Sequence, residues 1–143
     1  MSEEVNGEVM GEVERGAWLQ IGGYVAAADG LSADETQELA DSAAGPDFTL
    51  DKCVAAIEAG AASGSMPAAA VADVATSDPF IKVQLLLEVF GAVASDGISA
   101  PEWTRLSEAA AAILGAAKAD DFIRLCKLEK QASELRLSLI FGD

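Results

Sequence analysis

Apolar residues along this chain recur at helical intervals from one end to the other. Val5, Val9 and Val13 stand four apart, and Trp18, Ile21 and Val25 continue the stripe with glutamates between them, which predicts an amphipathic helix. Gly7, Gly11 and Gly16 weaken its beginning, so residues 1–13 are expected to fray and a firm helix to run from about Glu12 to Ala28. A second helix is expected from Ala33 to about Ala43, stopped by Gly45-Pro46. Thr49 caps a short helix through Ile57, residues 60–65 read as a flexible Gly/Ser joint, and Met66 to Thr76 forms another short helix. Asp78-Pro79 opens the next, Phe80 to Ser95, which is apolar almost all round and is therefore expected in the middle of the domain. Ala100 to about Ala117 and Ala119 to about Phe141 complete the set. The last helix carries Leu125, Leu128, Ala132, Leu135 and Leu139, spaced 3, 4, 3 and 4, a stripe expected to pack back on the body. No segment alternates with period two for long enough to make a sheet, so the expected fold class is all-α, with one domain over residues 1–143.

A repeat sharpens that architecture. Asp29-Gly30-Leu31-Ser32-Ala33-Asp34-Glu35 recurs, offset by 67 residues, as Asp96-Gly97-Ile98-Ser99-Ala100-Pro101-Glu102. Each copy follows a run of small and apolar residues, so each reads as a helix ending at Asp-Gly and a new helix opening at Ser. The expectation is a compact bundle of two helical hairpins related by a pseudo-two-fold axis, joined by short helices.

Composition narrows the chemistry. Apolar residues make up 51% of the chain and many are alanine, so helices should approach closely. No uncharged apolar stretch reaches the 18 or so residues that span a bilayer, and the acidic Ser2-Glu3-Glu4 is unlike the basic start of a signal peptide. A cytoplasmic location is expected. Cys53 and Cys126 lack the spacing of a redox or zinc motif and are expected to be reduced core thiols. With no histidine anywhere, Ser-His-Asp and Cys-His catalysis, HExxH zinc sites and Glu-x-x-His di-iron sites are excluded.

The formal net charge of −15 opposes binding to nucleic acid. Its distribution is uneven. Residues 1–117 hold nineteen acids and four basic residues, whereas residues 118–143 hold five of each, so an acidic body carries a charge-balanced terminal helix. A peripheral membrane role for Lys118, Arg124, Lys127, Lys130 and Arg136 is not favoured, because Asp120, Asp121, Glu129 and Glu134 are interspersed among them.

Pairing of the two hairpins would bring Asp29, Glu35, Asp96 and Glu102 together. Ser-x-x-Glu is a capping box, which gives Glu35 and Glu102 a sufficient structural role. Asp29 and Asp96 fall at helix C-termini, where the dipole opposes negative charge, so capping does not explain them. Four carboxylates without His or thiolate suit a hard divalent cation, Ca²⁺, Mg²⁺ or Mn²⁺. Neither loop has the ligand spacing of an EF-hand. With no nucleophile, substrate clamp or phosphate loop accompanying the acids, an enzyme is not expected.

The phrases Val25 to Glu35 and Val93 to Glu102 resemble the hairpin signature of TerB-like tellurite-resistance proteins, a small-residue helix followed by an Ala-Asp-Gly-type turn leading to a Glu. The likeness covers roughly residues 14–140. It implies a compact all-helical domain with pseudo-two-fold symmetry, a role in resistance to tellurite and other stress, acidic turns that bind divalent metal, and a surface that assembles with partner proteins near the membrane. Asp29, Glu35, Asp96 and Glu102 are the positions that match. The second copy departs in having Ser95 for Ala28 and Pro101 for Asp34. The functional expectation is a non-enzymatic cytoplasmic stress-response adaptor with a divalent cation at its paired acidic turns and protein partners. The alternative is a purely structural interaction module, without a metal site, that docks a partner through Leu125 to Leu139.

Overall fold

The computed structural model describes residues 12–45, 48–94 and 97–142. Among them are seven α-helices and no strand: α1 (Glu12–Ala26), α2 (Ala33–Ala43), α3 (Leu50–Ala62), α4 (Ala68–Ala75), α5 (Pro79–Val93), α6 (Ala100–Leu114) and α7 (Ala116–Phe141). A single 3-10 turn, Ala27–Asp29, follows α1. The predicted fold class is thus the observed one, an all-α bundle. The frayed start expected over residues 1–13 lies outside the described residues up to position 11; α1 is helical from Glu12.

Local chemistry sets the helix starts. Ser32 accepts the Glu35 amide at 3.0 Å and its own amide donates to Glu35 Oε1 at 3.0 Å. The second repeat does the same, with Ser99 accepting from the Glu102 amide at 3.3 Å and donating to Glu102 Oε1 at 2.8 Å. Both predicted capping boxes are therefore formed. Asp78 accepts the Phe80 amide at 2.8 Å and Pro79 occupies the first helical position of α5. Gly30 and Gly97, equivalent in the repeat, have φ of +87° and +99°, which an L side chain adopts only with strain.

Helix α1, not α5, occupies the middle of the bundle, contrary to the sequence expectation. It packs against each of α2 to α6, whereas Phe80 at the start of α5 is 72% exposed. Trp18, Leu19, Ile21 and Val25 of α1 are buried, each contributing about 2 kcal/mol, which exceeds the roughly 1 kcal/mol that each helical glycine costs. Those glycines have a use. An added Cβ at Gly23 would lie 2.0 Å from the Ile57 carbonyl oxygen, and one at Gly60 would lie 1.8 Å from that of Gln20. Helices α1 and α3 therefore cross with backbone against backbone, each presenting a glycine to the other. The flexible joint expected from Gly60 onward is corrected accordingly: α3 continues to Ala62, and Gly60 is a buried contact within it.

The two hairpins meet at residues equivalent in the repeat. Trp18 Nε1 donates to the carbonyl of Leu85, its counterpart at the 67-residue offset, at 2.9 Å. Equivalent residues can touch only near a local two-fold axis, so this bond marks where α1 and α5 approach it.

Helix α7 returns along α6 after Gly115 and is anchored by buried Ala119, Phe122 and Cys126. Lys127 lies over the Trp103 ring, 5.6 Å from its centroid. Beyond that point the expected return of the stripe to the body does not occur: Leu128 is 56% exposed, Leu135 63% and Leu139 81%. For Leu135 and Leu139 the cause is length. At 1.5 Å per residue the 15 residues of α6 extend about 22 Å and the 26 of α7 about 39 Å, so the neighbouring helix runs out.

Cys53 and Cys126 are both buried and unpaired. Burial, reinforced by the nearby Glu129 charge, pushes the Cys126 thiol up to about 12. Burial also raises Cys53, partly offset by Arg15. Both behave as small apolar core residues.

Candidate functional site

The capping boxes place two carboxylates at the junction of the hairpins. Glu35 and Glu102 are 4% and 2% exposed, the two buried charged residues among those described. Each already accepts its cap-residue amide, so one oxygen of each is engaged. The capping role read from the sequence does not by itself require burial. It is the pairing of the hairpins that covers both.

Glu102 holds its proton more tightly than an ordinary glutamate. Burial is the main cause; the neighbouring negative charges of Glu35 and, to a lesser degree, Asp29 add to it, while hydrogen bonds from Ser99 oppose it. Glu35 and Asp29, two of the other three sequence-selected carboxylates, are therefore each within electrostatic reach of Glu102. Asp29 sits exposed at the end of the 3-10 turn, which packs on α6. Asp96 lies outside the described residues. Among the described residues no three acidic or thiol side chains converge tightly enough to hold a metal ion as they stand. The donors present are all oxygens, which fits a hard cation and no softer one.

Beside this junction is a cluster that the sequence did not single out. Tyr24 donates its hydroxyl to Glu108 Oε1 at 2.7 Å, Arg105 donates to the Tyr24 carbonyl at 2.7 Å, and the guanidinium lies 4.4 Å from the Tyr24 ring centroid. Burial raises the Tyr24 phenol, helped by Glu108 and opposed by Arg105. The cluster ties the end of α1 to α6 and so fixes the first hairpin's turn against the second hairpin. Its signal in the sequence was weak: Tyr24 is the chain's one tyrosine, but nothing in the pattern around Arg105 and Glu108 links them to it. At the repeat-equivalent position of Tyr24 the second hairpin has Gly91, beside a recess of about 270 Å³ lined by Glu38, Leu87, Glu88 and Ala92. The hairpins are thus alike in their turns and different in how they are fastened.

The second candidate surface is the free part of α7. Leu135, Leu137, Leu139, Ile140 and Phe141 are each more than half exposed. No helix among the described residues is long and apolar enough to cross a membrane. A groove of about 680 Å³ runs along α6 and α7 at the root of this arm, lined by Thr104, Ser107, Glu108, Asp120, Ile123 and Lys127 among others.

The chain matches no protein-family model, no curated protein and no solved structure. The resemblance to TerB-like proteins accordingly rests on the two hairpin phrases.

Proposed function

We propose that the protein is a non-enzymatic helical adaptor in which the two-hairpin body is a scaffold and the projecting half of α7 is the docking element. The observation that carries this reading is the run of large apolar side chains on α7 beyond the reach of α6, which no other helix among the described residues covers. Contiguous apolar surface left exposed on a folded domain marks an interaction site. The cytoplasmic stress-response setting implied by the TerB-like turns is part of this proposal and is supported by those phrases alone. Placing a photoreactive residue by Leu135→p-benzoylphenylalanine and irradiating the native cell is expected to give an adduct heavier than the 14.6 kDa chain, lost when Leu128→Glu is added. Recovery of only the free chain would sink the adaptor reading.

A second reading is favoured by the buried Glu35–Glu102 pair with Asp29 nearby: a divalent cation such as Ca²⁺, Mg²⁺ or Mn²⁺ neutralises the hairpin junction, held by Asp29, Glu35, Asp96 and Glu102. Such an ion would offset both the burial that chiefly raises the Glu102 proton affinity and the smaller repulsion from Glu35 and Asp29 that adds to it. Calorimetric titration of each metal is expected to show one saturable site, abolished by Asp29→Asn/Glu102→Gln. Glutamine retains the capping geometry, so the helix starts survive the substitution. Heat no greater than an acidic surface produces nonspecifically, unchanged in the variant, eliminates the cation.

A further inference from the structure

The free half of α7 has a pattern that specifies more than stickiness. Leu125, Ala132 and Leu139 occupy the first position of a heptad and Leu128 and Leu135 the fourth, the 3.5-residue period of a helix that supercoils with another helix. We propose that the partner of this stripe is the same stripe on a second copy of the chain, with the two arms antiparallel. The proposal rests on the adaptor reading of α7 and names its occupant.

Charge complementarity selects the second copy. In the antiparallel register centred between Ala132 and Leu135, Leu128 packs on Leu139 of the other copy and Ala132 on Leu135, each contact occurring twice. That register sets Glu129 beside Arg136 of the other copy on one flank, again twice, and Gln131 beside Ser138 on the other. No like charges face one another. The ion pair within the arm, Lys130 to Glu134, lies on the outer face and leaves the seam free. Ile140 and Phe141, 69% and 77% exposed, come alongside residues 126 and 127 of the other arm, at the α6–α7 groove. A parallel pair would lose these advantages. Its flanking match is Arg124 with Glu129, but Arg124 is already bonded to Asp121 at 3.3 Å, and the two acidic bodies would stand side by side. Antiparallel arms hold the bodies at opposite ends, beyond the screening length of about 8 Å at physiological ionic strength. A lipid surface is a poorer match: the arm's charge is balanced, and the acidic body is repelled by anionic headgroups.

Sedimentation equilibrium of the full chain tests this. The expected result is a mass rising with concentration from 14.6 kDa toward twice that value. Leu128→Glu/Leu135→Glu should return the chain to monomer, with a thermal transition unchanged at concentrations where the wild type is itself monomeric, because both side chains are outside the core. Glu129→Arg and Arg136→Glu should each weaken association several-fold, and the double substitution should restore it. Restoration is specific to the antiparallel register. A chain that stays monomeric into the millimolar range, a dimer indifferent to Leu128→Glu/Leu135→Glu, or a double charge swap that fails to restore pairing overturns the proposal. A monomer whose arm still crosslinks to a different protein, or binds anionic vesicles, overturns self-pairing while leaving α7 as a docking element; a monomer with no adduct ends both readings.

Discussion

Substituting Gly60 with alanine is expected to destabilise the fold by about 2–4 kcal/mol, although alanine is the better helix former. Two effects oppose each other. Gly60 lies inside α3, where propensity alone favours alanine by about 1 kcal/mol. The new Cβ, however, would sit 1.8 Å from the Gln20 carbonyl oxygen and 2.6 Å from its carbon, and these are backbone atoms that no rotamer change can move aside. Helices α1 and α3 must separate, and with α1 in contact with five other helices the separation loosens the whole core. Sterics therefore decide the sign. Gly91→Ala supplies the control: it too is helical, in α5, but its added Cβ meets nothing within 4 Å, so a gain of roughly 0.5–1 kcal/mol is expected. Thermal melts of the two variants should move in opposite directions, with Gly60→Ala falling by about 5–15 °C. A Gly60→Ala variant as stable as the wild type would mean that the α1–α3 crossing is wider than described.

The same glycine shows why parts of the fold were legible in the sequence and others were not. Helix starts depend on a few neighbouring residues, so Asp78-Pro79 and the two Ser-x-x-Glu phrases located α5, α2 and α6 to within a residue. A glycine's reason for being there is tertiary. Gly60 reads locally as a breaker because the backbone it must clear, at Gln20, is forty residues away. The place of α1 at the centre was hidden for a related reason: its small residues gave it a lower apolar load than α5, yet small residues are what allow five neighbours to approach. The exposure of the α7 stripe was readable in principle from the expected helix lengths, because a helix of 23 residues outruns a partner of 18. Periodicity says that a helix has an apolar face and is silent about what covers it. At the candidate site the capping function of Glu35 and Glu102 was visible in the sequence, whereas their burial required knowing how the hairpins pair.

Glu102 separates two roles that the sequence merged. Glu102→Ala is expected to cost about 2–4 kcal/mol, because it leaves the half-buried Ser99 amide without its acceptor and opens a cavity where a 2% exposed side chain stood. Glu102→Gln keeps the acceptor and nearly all the volume while removing the charge. Its effect depends on pH, and the sign follows from the raised proton affinity. A carboxyl that binds its proton more tightly when folded than when unfolded favours the native state while protonated, and that contribution is lost as pH rises from the ordinary glutamate range through the higher folded value. At neutral pH the ionised Glu102 therefore opposes folding, through burial first and through Glu35 and Asp29 second. Glu102→Gln should then be more stable than wild type at pH 7 and gain nothing in acid, where Glu102 is protonated and its repulsion with Glu35 is gone. Denaturant titrations across that range measure the difference directly. In the presence of a divalent cation bound at the junction the order at pH 7 would reverse, since the ionised glutamate would then be a ligand. Stability curves of the two proteins with chelator and with millimolar Ca²⁺ or Mn²⁺ thus separate a cap that tolerates a buried charge from a junction built to neutralise one.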